Sequence, residues 1–381
     1  MNSFVYENPV KVYFGENGVD THLANELAKY GKNIMLAYGK GSVVRNGIYD
    51  QVVKVLKACG KNIIELTDIP ANPSYEKVCE GIKLYKENDV DLILAVGGGS
   101  VVDCVKVITS GVYVEEDIWT LQFEKGIVPE KMGNYAVILT ISGAGAEMDN
   151  LGAITKGNDK KTFVASYAKF VILDPTYLKT IPQKAFMPGA FDSLTHCMET
   201  YFGQTYNVSD RMNEGLMKDI VLNMREIING NDTLEIRSNL MWDASLVQTF
   251  LFNVGKPGDF QGHFIENTLG AYSHGTHGRQ LAVILPVYYQ HVYKDDVQKF
   301  ALFARNVMDV KEENDLIAAQ LGLKEFEKLI EDAGLVRTFT ELGFDLTDEI
   351  AKEIAGKAPI SQGNARQLTK EEIMEILMAC K

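Results

Sequence analysis

The first half of the chain alternates short β-rich runs with helical stretches, and this alternation limits the fold more than any other feature. NIMLAYG (33–39), NIIEL (62–66), DLILAVG (91–97), YAVILT (135–140) and FVILD (170–174) are apolar runs of strand length, and helical stretches such as YEKVCEGIKLYKEN (75–88) fall between them. Apolar strands separated by helices predict βαβ units around a parallel sheet. After DPTYLKTIPQ the pattern changes: from about Lys184 onward, stretches such as LEIRSNLMWDASLVQTFLF and KEFEKLIEDAGL place apolar residues three and four apart. The second half is therefore expected to be helical. Pro182 and Pro188 mark the boundary, because proline ends strands and starts helices. The expected domains are an α/β domain over residues 1–182 and a helical domain over 183–381. A length of 381 residues agrees with this, since one core usually divides beyond ~250–300 residues.

Composition narrows the function. With 38 basic and 51 acidic residues the formal charge is −13, which would repel a phosphate backbone and argues against nucleic acid as a partner. No apolar run reaches the ~18 residues of a membrane span, and MNSFVYENPVKVYFGENG lacks the basic and apolar regions of a secretory leader, so a cytoplasmic chain is expected. Cys59, Cys79, Cys104, Cys197 and Cys380 are odd in number and never spaced as CxxC, so they read as small hydrophobes rather than as disulfides or thiolate ligands.

Two strands run directly into glycine and serine: LAYGKGSVV (36–44) and LAVGGGSVVD (94–103). Glycine lets the backbone approach a phosphate, and the free N–H groups of the following helix supply donors and a positive dipole end. A single GGGS often serves chain reversal only, but two in neighbouring βα units point to a nucleotide cradle. The GxGxxG signature is absent, so a dinucleotide would bind in another manner. The first loop, Gly39, Lys40, Gly41 and Ser42, carries no carboxylate for a ribose 2′-OH, and its lysine and hydroxyl suit a 2′-phosphate. NADP(H) is therefore expected over NAD(H).

Metal-ligating side chains cluster in the second half. Asp192 and His196 stand four apart, on one helical face. Alone they would pass for a surface carboxylate beside a core imidazole. HFIENTLGAYSHGTHG (263–278), however, adds His263, His274 and His277 to a chain with six histidines. Gly270, Gly275 and Gly278 interrupt a regular helix there, so a helix that delivers His263 and a turn that returns His277 would complete an Asp-His-His-His shell. Three imidazoles and one carboxylate suit Fe(II) or Zn(II) better than Mg(II) or Ca(II).

These motifs, VGGGSVVDCVK (96–106), DP (174–175), the DxxxH of Asp192 and His196, and the His263/His277 pair before LAVILP (281–286), make the chain resemble the iron-containing (group III) alcohol dehydrogenase family over essentially its whole length. The similarity is greatest to its NADP(H)-dependent butanol dehydrogenase and aldehyde reductase branch. The resemblance implies a dehydroquinate-synthase-like fold, with a Rossmann-like N-terminal dinucleotide domain, an all-α metal domain and a site in the cleft between. It implies Asp192, His196, His263 and His277 as metal ligands. Gly97, Gly98, Gly99, Ser100 and Asp103 match the pyrophosphate motif, Gly39 and Ser42 the ribose loop, and Thr140, Asn72 and Lys160 further cofactor contacts. The implied chemistry is hydride transfer between a nicotinamide and a small alcohol or aldehyde, by a homodimer.

Two positions depart from the family pattern. Asn267 replaces a histidine four residues after the third ligand, and an amide can hydrogen-bond but cannot shuttle a proton near neutral pH. Ala144, in ISGAGAEMD, replaces a threonine. The proton route then falls to His274 or to water. Phe191, Trp119, Phe252, Phe264 and Tyr272 are candidates for an apolar substrate cleft, although aromatic residues are more often core. Two other readings stand beside this one. A dehydroquinate-synthase-like lyase would need lysines and arginines around the metal, where only Arg279 is found; a non-catalytic metal- and nucleotide-binding protein is the other.

Overall fold

The computed structural model describes residues 2–273 and 275–381. The chain divides into two compact units: Glu7–Ile181, and Pro182–Lys381 together with the N-terminal residues up to Tyr6. That terminal arm differs from the expectation that residues 1–182 stay together. It is held by Asn2, whose N–H donates to the Gly255 carbonyl at 3.0 Å.

The first unit begins with β1 (Lys11–Phe14), a π turn over Val19–Leu23 and α1 (Ala24–Leu27). There follow β2 (Asn33–Gly39), α2 (Ser42–Arg45), α3 (Ile48–Ala58), β3 (Asn62–Ile69), α4 (Tyr75–Glu87), β4 (Leu92–Gly97) and α5 (Gly99–Gly111). It ends with β5 (Tyr135–Leu139), β6 (Leu151–Lys156), β7 (Asp159–Val164) and β8 (Phe170–Leu173). The main sheet runs β1-β8-β5-β4-β2-β3, every neighbouring pair parallel. β4 and β5 are buried at every position, as strands covered on both faces must be. On one face α3 packs through Ile48, Val52, Val53 and Leu56 at helical spacing.

The chain leaves β2 outward to β3, then returns to the other side of β2 for β4. Neighbouring strands whose connections leave in opposite directions open a crevice at their carboxyl ends, where open α/β sheets bind ligands. Both glycine loops emerge there, because Tyr38 of β2 lies opposite Val96 of β4. The hairpin of β6 and β7 is an addition to the expected βα alternation. Its strands are antiparallel, with Lys156 opposite Asp159 across a turn in which Gly157 has φ +59.

The second unit contains α6 (Gln183–Tyr201), α7 (Val208–Ile228), α8 (Leu234–Val247), α9 (Gln261–Leu269) and α10 (His277–Val292). It continues with α11 (Val297–Asn306), α12 (Asp315–Asp332), α13 (Asp348–Lys357) and α14 (Lys370–Ala379). Local chemistry sets several starts. Asn207 with Asp210 and Thr369 with Glu372 form capping boxes, and Thr233, Asn314 and Thr347 cap α8, α12 and α13. Cys104, Cys197 and Cys380 are buried, Cys59 is half-buried and Cys79 exposed, and all are free thiols. No helix among the described residues is long and apolar enough to cross a membrane.

Candidate active site

Three helices of the second unit bring four side chains to one point. α6 carries Asp192 and His196 one turn apart, α9 carries His263 in its first turn, and α10 begins at His277. His196 Nε2 lies 3.0 Å from His263 Nε2, and Asp192 Oδ1 lies 3.6 Å from both His196 Nε2 and His277 Nε2. One ligand atom from each residue falls within 4.8 Å of all the others.

The ring nitrogens facing away from this point are held as well. His263 Nδ1 contacts Glu199 Oε2, His277 Nδ1 lies 2.5 Å from Glu266 Oε2, and the Gln248 amide lies 3.1 Å from His196 Nδ1. A carboxylate at Nδ1 requires a proton there, which leaves the Nε2 lone pair pointing inward. Burial, and then the neighbouring His277 imidazole, hold the His196 pKa down at about 3, so its ring stays neutral. The four converging donor atoms, three imidazole nitrogens and one carboxylate oxygen, make a set that fits a divalent ion.

Glycine makes the approach possible. A Cβ on Gly262 would fall 2.2 Å from Leu285 Cδ2 and 2.8 Å from Glu199 Oε1. Only a bare backbone lets α9 settle against α10 and the Glu199 carboxylate. Gly278 serves the start of α10 in the same way. The glycines around the histidines thus allow close helix contact, in addition to turning the chain.

In the α/β unit the cofactor candidates gather at the carboxyl ends of the sheet. Gly97 ends β4, Gly98 follows it, and Gly99 and Ser100 open α5, whose start no side chain among the described residues caps. Its first N–H groups are thereby open to an anion. Thr140 follows β5 and donates its N–H to the Gly97 carbonyl at 3.0 Å. Gly39, Lys40, Gly41 and Ser42 follow β2 beside the end of β3, since Gly39 pairs with Ile69. Asn72 lies beyond β3 with φ +52. The hairpin reaches the same edge: Thr155 donates its N–H to the Pro73 carbonyl at 3.0 Å, and Lys160 is the cross-strand partner of Thr155.

Asp103 turns toward this hairpin, accepting a hydrogen bond from Ala153 N at 3.3 Å. Burial pushes its carboxyl up to about 6 against the pull of the Lys106 ammonium. Lys106 is fully buried and donates to Asp149 Oδ1 at 2.5 Å and to the Leu151 carbonyl at 2.7 Å. The GGGSVVDCVK segment therefore also anchors the hairpin through its Asp and Lys.

Other expectations meet mixed outcomes. Asn267 stands one turn beyond His263 on α9, half-buried. His274 lies outside the described residues. Phe191 is fully buried and stacks on Phe326, and Trp119 packs edge-on against Tyr75 and Phe163, so both belong to cores. Phe252 is buried, while Phe264 and Tyr272 are half-buried. His22 stacks on Tyr13, and His291 Nε2 lies 3.3 Å from Glu372. Sequence reasoning missed Glu199, Glu266 and Gln248, which carry no motif of their own.

The chain thus combines an α/β unit that offers a candidate nucleotide site with a helical unit in which three imidazoles and one carboxylate form a candidate metal centre. Residues 9–175 match the family model for iron-containing alcohol dehydrogenase, and residues 186–380 match the model for its C-terminal part. The chain belongs to this family and is an NAD(P)-dependent oxidoreductase. It is 33% identical over 386 residues to NADH-dependent butanol dehydrogenase A of Clostridium acetobutylicum, covering 99% of each chain. It is 28% identical over 355 residues to an NADPH-dependent aldehyde reductase of Escherichia coli, covering 91% of this chain and 90% of that one. The crystal structure of NADH-dependent butanol dehydrogenase A from Thermotoga maritima superposes with a TM-score of 0.92 at 30% identity, over 100% of this chain and 99% of that one.

Proposed function

We propose that the protein interconverts a primary alcohol and its aldehyde, butanol and butanal among them, with NADP(H) as hydride carrier and Fe(II) or Zn(II) held by Asp192, His196, His263 and His277. The convergence of their four donor atoms within 4.8 Å carries this reading. When bound, the ion supplies Lewis acidity toward the carbonyl or hydroxyl oxygen. The chain's own contribution is position and charge. Asp192 supplies one negative charge to the centre, and the imidazoles remain neutral donors. The start of α5 with Gly97–Ser100 receives the pyrophosphate, flanked by Thr140, Asn72 and Lys160, while Asp103 holds the hairpin that brings Lys160 there. Asn267 offers the reacting oxygen a hydrogen bond but no exchangeable charge, so the proton passes to water or to His274. The homodimer implied by the family resemblance is part of the proposal, and light scattering on the purified chain tests it.

Cofactor preference rests on Lys40 and Ser42, an ammonium and a hydroxyl in a loop without a carboxylate. NADH stands as the second reading, favoured by the names of the relatives that are 33% and 30% identical. Oxidation of NADPH and of NADH by butanal, with Fe(II)-reconstituted and metal-free protein side by side, decides between them. Turnover that needs the ion and is faster at limiting NADPH supports the proposal. Turnover faster with NADH overturns the cofactor assignment, and no turnover with either overturns the substrate assignment.

A further inference from the structure

The three histidines differ in what holds their outer nitrogen. Glu199 is completely buried on α6 and clasps His263 twice, with Oε1 accepting the His263 backbone N–H at 3.1 Å and Oε2 contacting ring Nδ1. Glu266, 1% exposed, sits against His277 Nδ1 from α9. Among the described residues, the outer nitrogen of His196 meets the neutral amide of Gln248. Two carboxylates withdrawn from water therefore stand directly behind the metal-facing rings.

We infer that Glu199 and Glu266 are positioning residues of the metal centre, each holding its histidine with Nε2 inward and strengthening it as a donor, while Gln248 contributes orientation alone. The inference rests on the proposed metal role of the four ligands. A carboxylate behind an imidazole fixes the tautomer, restrains ring rotation and draws electron density toward the far nitrogen. It also adds negative charge near a divalent ion where little water screens it. Together with Asp192 the two glutamates place three carboxylates around one ion. An amide fixes ring orientation without adding charge, so the contribution of Gln248 should be smaller. Gly262 supports the arrangement, because a side chain there would press on Glu199 Oε1.

The test measures ion affinity rather than turnover. Glu199→Gln, Glu266→Gln and Gln248→Leu are compared with wild type by chelator competition for Zn(II), by the visible absorption of the Co(II)-loaded protein and by thermal unfolding of the metal-free protein. Either carboxylate variant is expected to hold Zn(II) about 10–100-fold more weakly, with shifted Co(II) bands. Gln248→Leu is expected to lose less than either. A general packing role would lower metal-free stability and leave affinity and spectrum unchanged, which would overturn the inference while leaving the metal reading intact. Equal losses in all three variants would also overturn it. If Glu199→Gln does not fold, Glu266→Gln carries the same comparison. A wild-type chain that binds neither ion overturns the metal reading itself, and this inference with it.

Discussion

Gly278 lies so close to Pro188 that a Cβ on it would fall 2.2 Å from the Pro188 carbonyl oxygen and 3.2 Å from Asp192 Cβ. The contact seats α10 against α6 one residue after His277 and one turn before Asp192. Alanine at this position must push the helices apart, an overpacking that costs about 1–3 kcal/mol. Gly278→Ala is expected to retain its fold and lose most of its bound ion. Metal content measured beside the melting temperature checks this, and a variant that melts lower but keeps its metal would show that the contact serves stability alone.

Lys106 and Asp149 form an ion pair that is almost fully withdrawn from water, with exposures of 0% and 4%. Removing the lysine leaves a buried carboxylate supported by the Leu151 N–H, and the loss of one partner from such a pair costs about 3–5 kcal/mol. Lys106→Met should lower urea stability by that order, and Lys106→Met with Asp149→Leu should recover much of it. Trp119, packed within the same unit, reports unfolding by fluorescence.

These two contacts also show what the sequence could and could not reveal. Five strands, the helical second half and the four side chains that converge in it were legible, because apolar periodicity and a DxxxH spacing are local signals. The β6 and β7 hairpin was legible in principle: a two-residue Gly157-Asn158 turn separates its strands, but it was overshadowed by the βα alternation around it. Glu199 was not legible, since its partner His263 is 64 residues away and a glutamate three positions after His196 resembles any helical carboxylate. Lys106 and Asp149 were hidden for the same reason, being 43 residues apart, with the lysine inside a motif that suggests a cofactor contact.

Glu26 is expected to contribute to the acid limb of the stability profile. Burial opposes its charge, but hydrogen bonds from Lys29, Tyr13 and Lys11 outweigh that and lower the carboxyl to about 2 from an ordinary 4.5. A depressed carboxyl pKa stabilises the fold above the unfolded value, and the contribution disappears as pH falls from about 5 toward 2. Two partners are half-exposed, which reduces the effect to about 1–3 kcal/mol. Glu26→Gln should therefore melt below wild type at pH 7, and the gap should narrow below pH ~5 and close near pH ~2. A gap independent of pH would refute the assignment.

Lys40 and Ser42 follow β2, both exposed at the crevice edge. If they meet a 2′-phosphate, each removes a charge-assisted hydrogen bond when replaced by alanine, at about 1.5–3 kcal/mol. Lys40→Ala and Ser42→Ala are expected to lower kcat/KM for NADPH by about 10-fold or more and to leave the NADH value nearly unchanged. Equal losses with both cofactors would mean that the loop holds the adenosine without reading the ribose.

Asn267 extends the face of α9 that carries His263, one turn further on. At this position an amide gives no ionisation between pH 5 and 8, whereas an imidazole titrates near ~6.5. Asn267→His should therefore add a limb with an apparent pKa of about 6–7 to the pH dependence of kcat for alcohol oxidation, one that wild type lacks. The rate at pH 8 should match or exceed wild type, because the neutral ring can accept the proton assigned above to water or to His274. The added limb should appear in kcat and not merely in KM, since proton transfer follows substrate binding. Superimposable profiles would place residue 267 away from the proton path and direct the search to the loop that follows α9.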